Sequence, residues 1–290
     1  MIYSGIPYGF FRSAAAGEKG YVYCGNGGGP LQDTDEYIPD SWTNKTDAPS
    51  PARNYLAAST ISDKGYIYCG DVNGGIRDCD EYNLNSWTSK TDAPSPVRDR
   101  LAASTISNKG YIYCGHDDVN YIQDTDEYDP DSWTSKTGAP SPGRLGLAAS
   151  TISDKGYIYC GYDLSYLQDC DEYTPDSWAN KTDCPSPARS SLAASTINDK
   201  GYIYCGHTTY LQDCDEYDPD VWTNKTDAPS PGKLNPAAST ILNKGYVYCG
   251  FNSSASNMQD CDEYDPDTWT SKTDCPSPPR NGSAASTINN

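Results

Sequence analysis

The sequence comprises 290 residues, of which 40 are acidic and 21 basic, so its formal net charge at pH 7 is −19. This excess of negative charge repels phosphate groups, which argues against general binding to nucleic acids or anionic membranes. The sequence has no apolar run of about 18 residues, so we expect no membrane insertion. The abundance of tyrosine (25), glycine (25) and proline (21) favours strands and turns over helices.

A repeat of 44 to 46 residues runs along the chain. Its marker is the hexapeptide GYIYCG or GYVYCG, and one tryptophan follows each copy. The six copies begin at Gly20, Gly65, Gly110, Gly156, Gly201 and Gly245. Periods of this length are typical of propellers, in which each repeat forms one blade that must stack on its neighbours to bury both faces.

Each repeat contains four predicted strands separated by turn sequences. In the second repeat they are, in chain order, LAASTI (56–61), YIYC (66–69), RDCDEY (77–82) and SWTSKT (86–91). The intervening turns carry SDKG, a variable glycine-containing stretch and a short turn of the DPD type, and PSP ends the repeat. We therefore expect an all-β fold, a six-bladed β-propeller with four antiparallel strands per blade, as a single domain over residues 1–290.

The two ends of the chain predict how the ring closes. The segment before Gly20 lacks the Ser-Thr-Ile part of a first strand, whereas residues 283–288, SAASTI, form a first strand with no second strand after them. We expect this tail to complete blade one, which would tie the termini together and remove an open sheet edge. Removal of residues 281–290 should then be disproportionately costly.

The repeat resembles the Kelch repeat in its tyrosine-rich strand ending in glycine, its EYDP segment, its spaced tryptophan and its proline-rich turn ending in arginine. The paired glycines of that family are Cys-Gly in this chain, for example Cys114-Gly115. The resemblance covers nearly the whole chain and implies a propeller. Kelch-type propellers include adaptor domains, copper oxidases and sugar epimerases, so the resemblance leaves the functional class open.

Two stretches vary between repeats, one after YCG and one after PSP, and both should lie on the same side of the ring. Loops held by a rigid scaffold commonly carry recognition. We therefore predict a binding scaffold for a glycan or a protein, without a cofactor. The expected contact residues are Arg53, Tyr55, Arg98, Arg100, His116, Asp117, Tyr121, Arg144, Tyr162, Tyr166, Arg189, His207, Tyr210, Lys233, Phe251 and Arg280. The repeated basic residues could instead bond loop carbonyls.

Two other classes of function stay as alternatives. A carbohydrate-active enzyme of the epimerase or oxidase type could use Asp117, Asp118 and Asp163 with the two histidines for acid–base chemistry on the same face. Two histidines are few for a copper site, and we predict neither a metal site nor a catalytic set. A structural subunit of an extracellular assembly, built by self-association, is the other alternative.

The cysteines bear on whether the protein is extracellular. Cys170 and Cys184 bracket a DPD-type turn, as do Cys261 and Cys275, which suggests two disulfides across adjacent strands. Cys69 with Cys79 and Cys205 with Cys214 are rival pairs. The chain also has five potential N-glycosylation sites, at Asn44, Asn180, Asn224, Asn252 and Asn281. Together these features favour an extracellular protein without fixing its localisation.

Overall fold

In the computed structural model, residues 17–289 are described, and within them 24 strands form six four-stranded antiparallel sheets. The sheets surround a central axis, which confirms the six-bladed propeller predicted from the repeats. The predicted domain also includes residues 1–16 and 290, which lie outside the described residues. Within the described range, no helix has the length and apolar character needed to span a bilayer.

The strands follow the repeats in chain order. In blades 1 to 3 they are β1 (Glu18–Tyr23), β2 (Thr34–Ile38), β3 (Ser41–Asn44), β4 (Ala57–Ile61), β5 (Lys64–Asp71), β6 (Gly75–Asn83), β7 (Ser86–Ser89), β8 (Ala102–Ile106), β9 (Lys109–Tyr113), β10 (Thr125–Asp129) and β11 (Ser132–Lys136). In blades 4 to 6, and back in blade 1, they are β12 (Ala148–Ile152), β13 (Lys155–Tyr162), β14 (Tyr166–Thr174), β15 (Ser177–Asn180), β16 (Ala193–Ile197), β17 (Lys200–Tyr204), β18 (Cys214–Asp218), β19 (Val221–Asn224), β20 (Ala237–Ile241), β21 (Lys244–Tyr248), β22 (Cys261–Asp265), β23 (Thr268–Ser271) and β24 (Ala284–Asn289).

The last strand closes the ring as predicted. Blade 1 has the strand order β24-β1-β2-β3, and β24 pairs antiparallel with β1 from Glu18 opposite Asn289 to Tyr23 opposite Ala284. The hydroxyl groups of Tyr23 and Ser286 lie 2.9 Å apart. The first blade is therefore built from both ends of the chain, and its sheet has the same four strands as every other blade.

Aromatic side chains fill the space between blades. Between blades 2 and 3, the ring of Tyr128 lies 5.5 Å from that of Tyr66, 5.9 Å from that of Tyr68 and 4.8 Å from that of Trp133. The Trp133 indole donates a hydrogen bond of 2.8 Å to the carbonyl oxygen of Thr91 in the preceding blade. Equivalent indole bonds join every adjacent pair of blades. The repeated tyrosines and tryptophans are thus structural.

Close packing also explains the first glycine of each GYIYCG segment. A methyl group on Gly110 would collide with the hydroxyl group of Tyr68 from the preceding blade. That hydroxyl group lies 2.8 Å from the Ser59 hydroxyl of the first strand in its own blade. Because the same arrangement recurs around the ring, a side chain at this position would force neighbouring blades apart.

A ring of threonines joins the first strands at one end of the axis. Each threonine hydroxyl donates a hydrogen bond of 2.6–2.8 Å to the carbonyl oxygen of the equivalent threonine in the preceding blade. This threonine ring comprises Thr60, Thr105, Thr151, Thr196, Thr240 and Thr287. It satisfies polar groups that face the axis and links all six blades in one cycle.

A second ring of hydrogen bonds lies at the opposite end of the axis. Here one residue of each blade donates its backbone N–H to the carbonyl oxygen of its counterpart in the preceding blade. We call these residues the axial ring: Tyr55, Arg100, Gly146, Ser191, Asn235 and Gly282. All six have a left-handed backbone, with φ between 50° and 62°. The backbone geometry is sixfold while the side chains differ, so this end of the axis is chemically asymmetric.

Candidate functional site

The two variable stretches of each repeat lie side by side around the axial ring. Short antiparallel bridges join them, for example Asp99 with His116, Leu145 with Tyr162 and Ser190 with His207. In each blade a bridge joins the segment before the first strand to the end of the second strand or to the loop that follows it, and this bridge holds both stretches in place. We call this side of the propeller the variable-loop face.

The six repeated basic residues are buried beneath this face. The four residues Arg53, Arg98, Arg144 and Arg189 each have an exposed fraction of 0%, and Lys233 and Arg280 each 1%. Each pairs with a buried aspartate on the third strand of its own blade. The pairs are Arg53–Asp80, Arg98–Asp126, Arg144–Asp171, Arg189–Asp215, Lys233–Asp262 and Arg280–Asp35. They are therefore not exposed on the variable-loop face, where the sequence led us to expect contacts with a ligand.

The physical reason is charge neutralisation inside the blade. The distance from the charged nitrogen to the carboxylate oxygen is 2.6 Å for both Arg98–Asp126 and Lys233–Asp262. Burial by itself lowers the pKa of Lys233, but Asp262, Cys205 and Asp260 together outweigh burial and raise the pKa above its usual value. Arg53 additionally donates to the carbonyl oxygen of Asp78 at 3.3 Å, so the alternative of bonding to loop carbonyls is partly realised.

Tyr55 and Arg100, also expected to contact a ligand, lie in the axial ring and are partly exposed. The guanidinium carbon of Arg100 lies 4.5 Å from the centroid of the Tyr55 ring, a cation–π contact. Arg100 also forms an ion pair of 3.1 Å with Asp99. Both residues line a small cavity over the axis, together with the other members of the axial ring and the residue that follows each of them.

Six rings of the variable-loop face form a continuous series across blades 3, 4 and 5. Neighbouring ring centroids are 5.3–6.0 Å apart. We call this series the aromatic arc: His116, Tyr121, Tyr162, Tyr166, His207 and Tyr210. The Tyr166 hydroxyl lies 2.8 Å from Nδ1 of His207, which fixes two rings of adjacent blades against each other. All six side chains are partly exposed.

Phe251, the remaining aromatic residue that we expected in the site, lies away from this arc. It lines a cavity of about 450 Å³ between blades 6 and 1 with Asn26, Asn257 and Asn281. The amide of Asn257 donates to the carbonyl oxygen of Asn26 at 2.8 Å and accepts from the Asn281 amide at 2.6 Å. Tyr55 lines the same cavity, so it borders both this pocket and the axis.

A group of side chains with metal-binding chemistry lies between blades 2 and 3. Ligand atoms of Asp99, His116 and Asp118 all come within 4.8 Å of one another. Asp99 was missed by sequence reasoning, although it carries the single carboxylate among the six residues that follow the repeated basic position. Asp163, which the sequence suggested as an acid–base partner of the histidines, is not part of this group.

Asp117, also expected to contact a ligand, has a structural role in its loop. Its carboxylate accepts hydrogen bonds from the backbone N–H groups of Val119 at 3.0 Å and Asn120 at 2.5 Å. Burial opposes ionisation, but the hydrogen bonds from Asn120 and Val119 together outweigh it and lower the pKa of Asp117. Asp117 therefore shapes the loop that presents its neighbours His116 and Asp118.

The predicted disulfides do not form, and all twelve cysteines are free thiols. The hairpin of blade 4 pairs Tyr173 with Trp178, and the backbone N–H of Lys181 donates to the carbonyl oxygen of Cys170. Cys184 lies farther along, where its N–H donates to Gln168.

The prediction placed the centre of the turn too late in the sequence, so it put the wrong residue opposite Cys170. The same offset separates Cys261 from Cys275, because Lys272 bonds to the carbonyl oxygen of Cys261. The rival pairs fail as well, since Cys79 and Cys214 lie opposite Tyr68 and Tyr204.

Comparison with known proteins supports the fold. No protein-family model and no curated protein matches the sequence. The structure is similar to one described as "Structure of YjhT", with a TM-score of 0.71 and 14% sequence identity over 83% of this chain and 91% of that chain. At this level of identity the similarity establishes the six-bladed propeller as the class of fold.

Proposed function

We propose that this propeller is a recognition scaffold that binds a glycan on its variable-loop face. The aromatic arc is the observation that carries the proposal. Its six rings span three blades, are partly exposed and lie at positions where the repeats differ. Partly exposed aromatic rings with a few polar groups beside them are typical of sites that bind small organic ligands.

The distribution of charge favours a glycan over an acidic peptide. The six repeated cations are neutralised inside the blades, so they add no positive charge to the surface. Arg100 is already paired with Asp99, and Asp118 lies nearby. A neutral sugar can pack its C–H face on a tyrosine ring and hydrogen-bond to carboxylates and amides, whereas an acidic peptide would meet like charges.

The cavity beside Phe251 supplies a second contact region. Its volume of about 450 Å³ lies within the range of small-molecule sites, roughly 300–1,000 Å³. Amides of Asn257 and Asn281 offer both donors and acceptors there. We propose that one part of an extended glycan stacks on the arc and that another part enters this cavity.

The test is a glycan array probed with the intact chain and with two variants of the arc, Tyr162→Ala and Tyr210→Ala. We expect a defined set of glycans to bind the unmodified chain and each variant to weaken binding at least about tenfold, since hot-spot aromatics contribute about 2 kcal/mol or more. Leu84→Ala and Leu242→Ala are matched controls, because these residues lie in exposed turns on the opposite face.

Retained binding in both arc variants, or loss in the control variants, would contradict the proposal. A parallel peptide array separates the two ligand classes. Binding to peptides alone, with the same dependence on Tyr162 and Tyr210, would keep the face but replace the glycan by a protein ligand.

The proposal includes assignment to the Kelch class of propellers. The Cys-Gly pairs support it, because Cys114 has φ of 56° and Gly115 has φ of 109°. Both positions thus adopt conformations in which glycine is the most easily accommodated residue, which explains how Cys-Gly can stand where Kelch repeats have paired glycines. We expect Cys114→Gly to fold, and failure of that variant to fold would count against the equivalence.

A further inference from the structure

The cleft between blades 2 and 3 has features that the proposed glycan site does not require. Asp99 precedes β8, and His116 and Asp118 follow β9, so two separate segments supply the three side chains. Backbone hydrogen bonds of 3.0 Å in both directions hold Asp99 and His116 in register. The Asp118 carboxylate accepts from the backbone N–H of Gly75 in blade 2 at 2.9 Å. All three residues are thus positioned by backbone contacts.

Two of these groups retain unused lone pairs. The exposed fraction of Asp99 is 3%, and one of its carboxylate oxygens accepts from Arg100 at 3.1 Å. Among residues 17–289, no hydrogen bond reaches the second carboxylate oxygen of Asp99 or the ring nitrogens of His116. Both residues line the open cavity between blades 2 and 3, so these lone pairs are accessible to a ligand that enters it.

The charge of the cleft points to a cation. Asp71 lines the same cavity as Asp99 and Asp118, so three carboxylates face a single guanidinium group, that of Arg100. Carboxylates gathered around one cavity repel one another. A divalent cation would relieve this repulsion directly.

The donor set selects the kind of ion. One imidazole nitrogen and two carboxylate oxygens suit zinc and related first-row transition ions, whereas calcium prefers about six to eight oxygen ligands. Three protein ligands also leave a coordination position open, as in zinc sites that take up water or a ligand. That position would face a cavity of about 480 Å³.

We propose that Asp99, His116 and Asp118 bind a divalent transition-metal ion, with zinc as the expected ion, at the boundary of blades 2 and 3. From the sequence we predicted no metal site, because two histidines are few for a copper site and nothing placed Asp99 beside His116. The ion would cross-link the segment before β8 to the loop after β9. His116 also belongs to the aromatic arc, but metal binding does not depend on the glycan proposal, since it requires no residue of blades 4 to 6.

The chain offers a sharp test because it contains only two histidines. We would prepare the full chain without a histidine tag, labelled with ¹⁵N at histidine, and titrate it with zinc chloride. His207 is the matched control, because it occupies the equivalent position after YCG in blade 5. We expect the imidazole signals of His116 alone to shift, with saturation at one zinc per chain.

Calorimetry of variants then identifies the ligands. We expect His116→Ala to abolish high-affinity zinc binding, Asp118→Asn to weaken it roughly tenfold or more, and His207→Ala to leave it unchanged. Asp118→Asn retains a side-chain oxygen for Gly75, and circular dichroism with thermal unfolding verifies that each variant is folded. A lack of saturable zinc binding, or an equal loss in His207→Ala and His116→Ala, would overturn the proposal. Calcium binding with similar affinity would overturn the assignment to a transition metal.

Discussion

The two faces of the propeller use the same scaffold in opposite ways. On the face that carries the SDKG-type turns, equivalent residues make equivalent contacts, such as Ser62 N–H to Asn108 and Ser153 N–H to Asp199 in the next blade. On the variable-loop face, the partners differ from blade to blade, from Asp99 with Arg100 in one to Asn257 with Asn281 in another. Repetition therefore marks residues that hold blades together, and variation marks residues that are free for recognition.

The repeated basic residues show how far this rule extends. They precede the variable residues in sequence, yet each is buried and paired with a repeated aspartate. A position that is basic in all six repeats serves the framework even when its neighbours serve the surface. Substitutions in either class of residue test whether repeated residues hold the blades together and variable residues do not. The expected effects on stability decrease from the ring closure to the surface.

Deletion of residues 281–290 should have the largest effect. It removes β24, and with it the pairing to β1, the Tyr23–Ser286 contact and one member of the threonine ring. We expect the cooperative thermal unfolding transition, measured by circular dichroism, to be lost. Addition of a peptide covering residues 281–289 should restore part of the transition. A truncated chain that unfolds like the intact one would show that closure is dispensable.

Arg144→Ala should be the most damaging point substitution of those considered. It leaves the Asp171 carboxylate buried without its counterion, which typically costs about 3–5 kcal/mol. Chemical denaturation measures the free energy of unfolding. Arg144→Lys is the matched control, because blade 6 uses Lys233 for the same pair, and it should cost clearly less. Equal losses in the two variants would argue against a charge pair.

Glu216 links stability to pH. Burial raises its pKa, but hydrogen bonds from Tyr202, Lys200 and Lys225 outweigh burial and lower the pKa from 4.5 to about 2. Since ionisation is favoured in the folded state, this group stabilises the fold above about pH 4.5 and loses that contribution as the pH falls towards 2.

We expect Glu216→Gln to lose about 1–3 kcal/mol of unfolding free energy at pH 7. The difference from the unmodified chain should shrink progressively in denaturation curves recorded at pH 4, 3 and 2. A difference that stays constant with pH would mean that the charge of Glu216 contributes nothing.

Tyr210→Ala should have the smallest effect on stability. Its side chain is partly exposed and belongs to the aromatic arc rather than to the packing between blades. We expect a change in unfolding free energy within about 0.5 kcal/mol, the usual range for surface positions. Thermal unfolding checks this directly. A loss of unfolding free energy comparable to that of Arg144→Ala would show that the aromatic arc helps to hold the blades together. Variation between repeats would then not mark residues that are free for recognition.

Part of the candidate site can be anticipated from the sequence. Because Tyr121, Tyr162 and Tyr210 break the repeat, their variation marked them as surface residues, and the structure brings them together. The sequence could not place Asp99 beside His116, because their bridge depends on how the segment before β8 folds back onto the loop after β9. The cysteine pairs failed for a related reason, since a two-residue turn shifts the register by an amount that the spacing of Cys170 and Cys184 does not reveal.

The sequence by itself determined the number of blades, the four strands in each and the closure by residues 283–288, because a repeated pattern and an incomplete first repeat leave one way to bury both faces of every sheet. The tertiary structure decided which charged residues are neutralised internally, which thiols stay free and which loop residues meet. These outcomes depend on side-chain direction and strand register between segments far apart in the chain, and local patterns do not specify either of them.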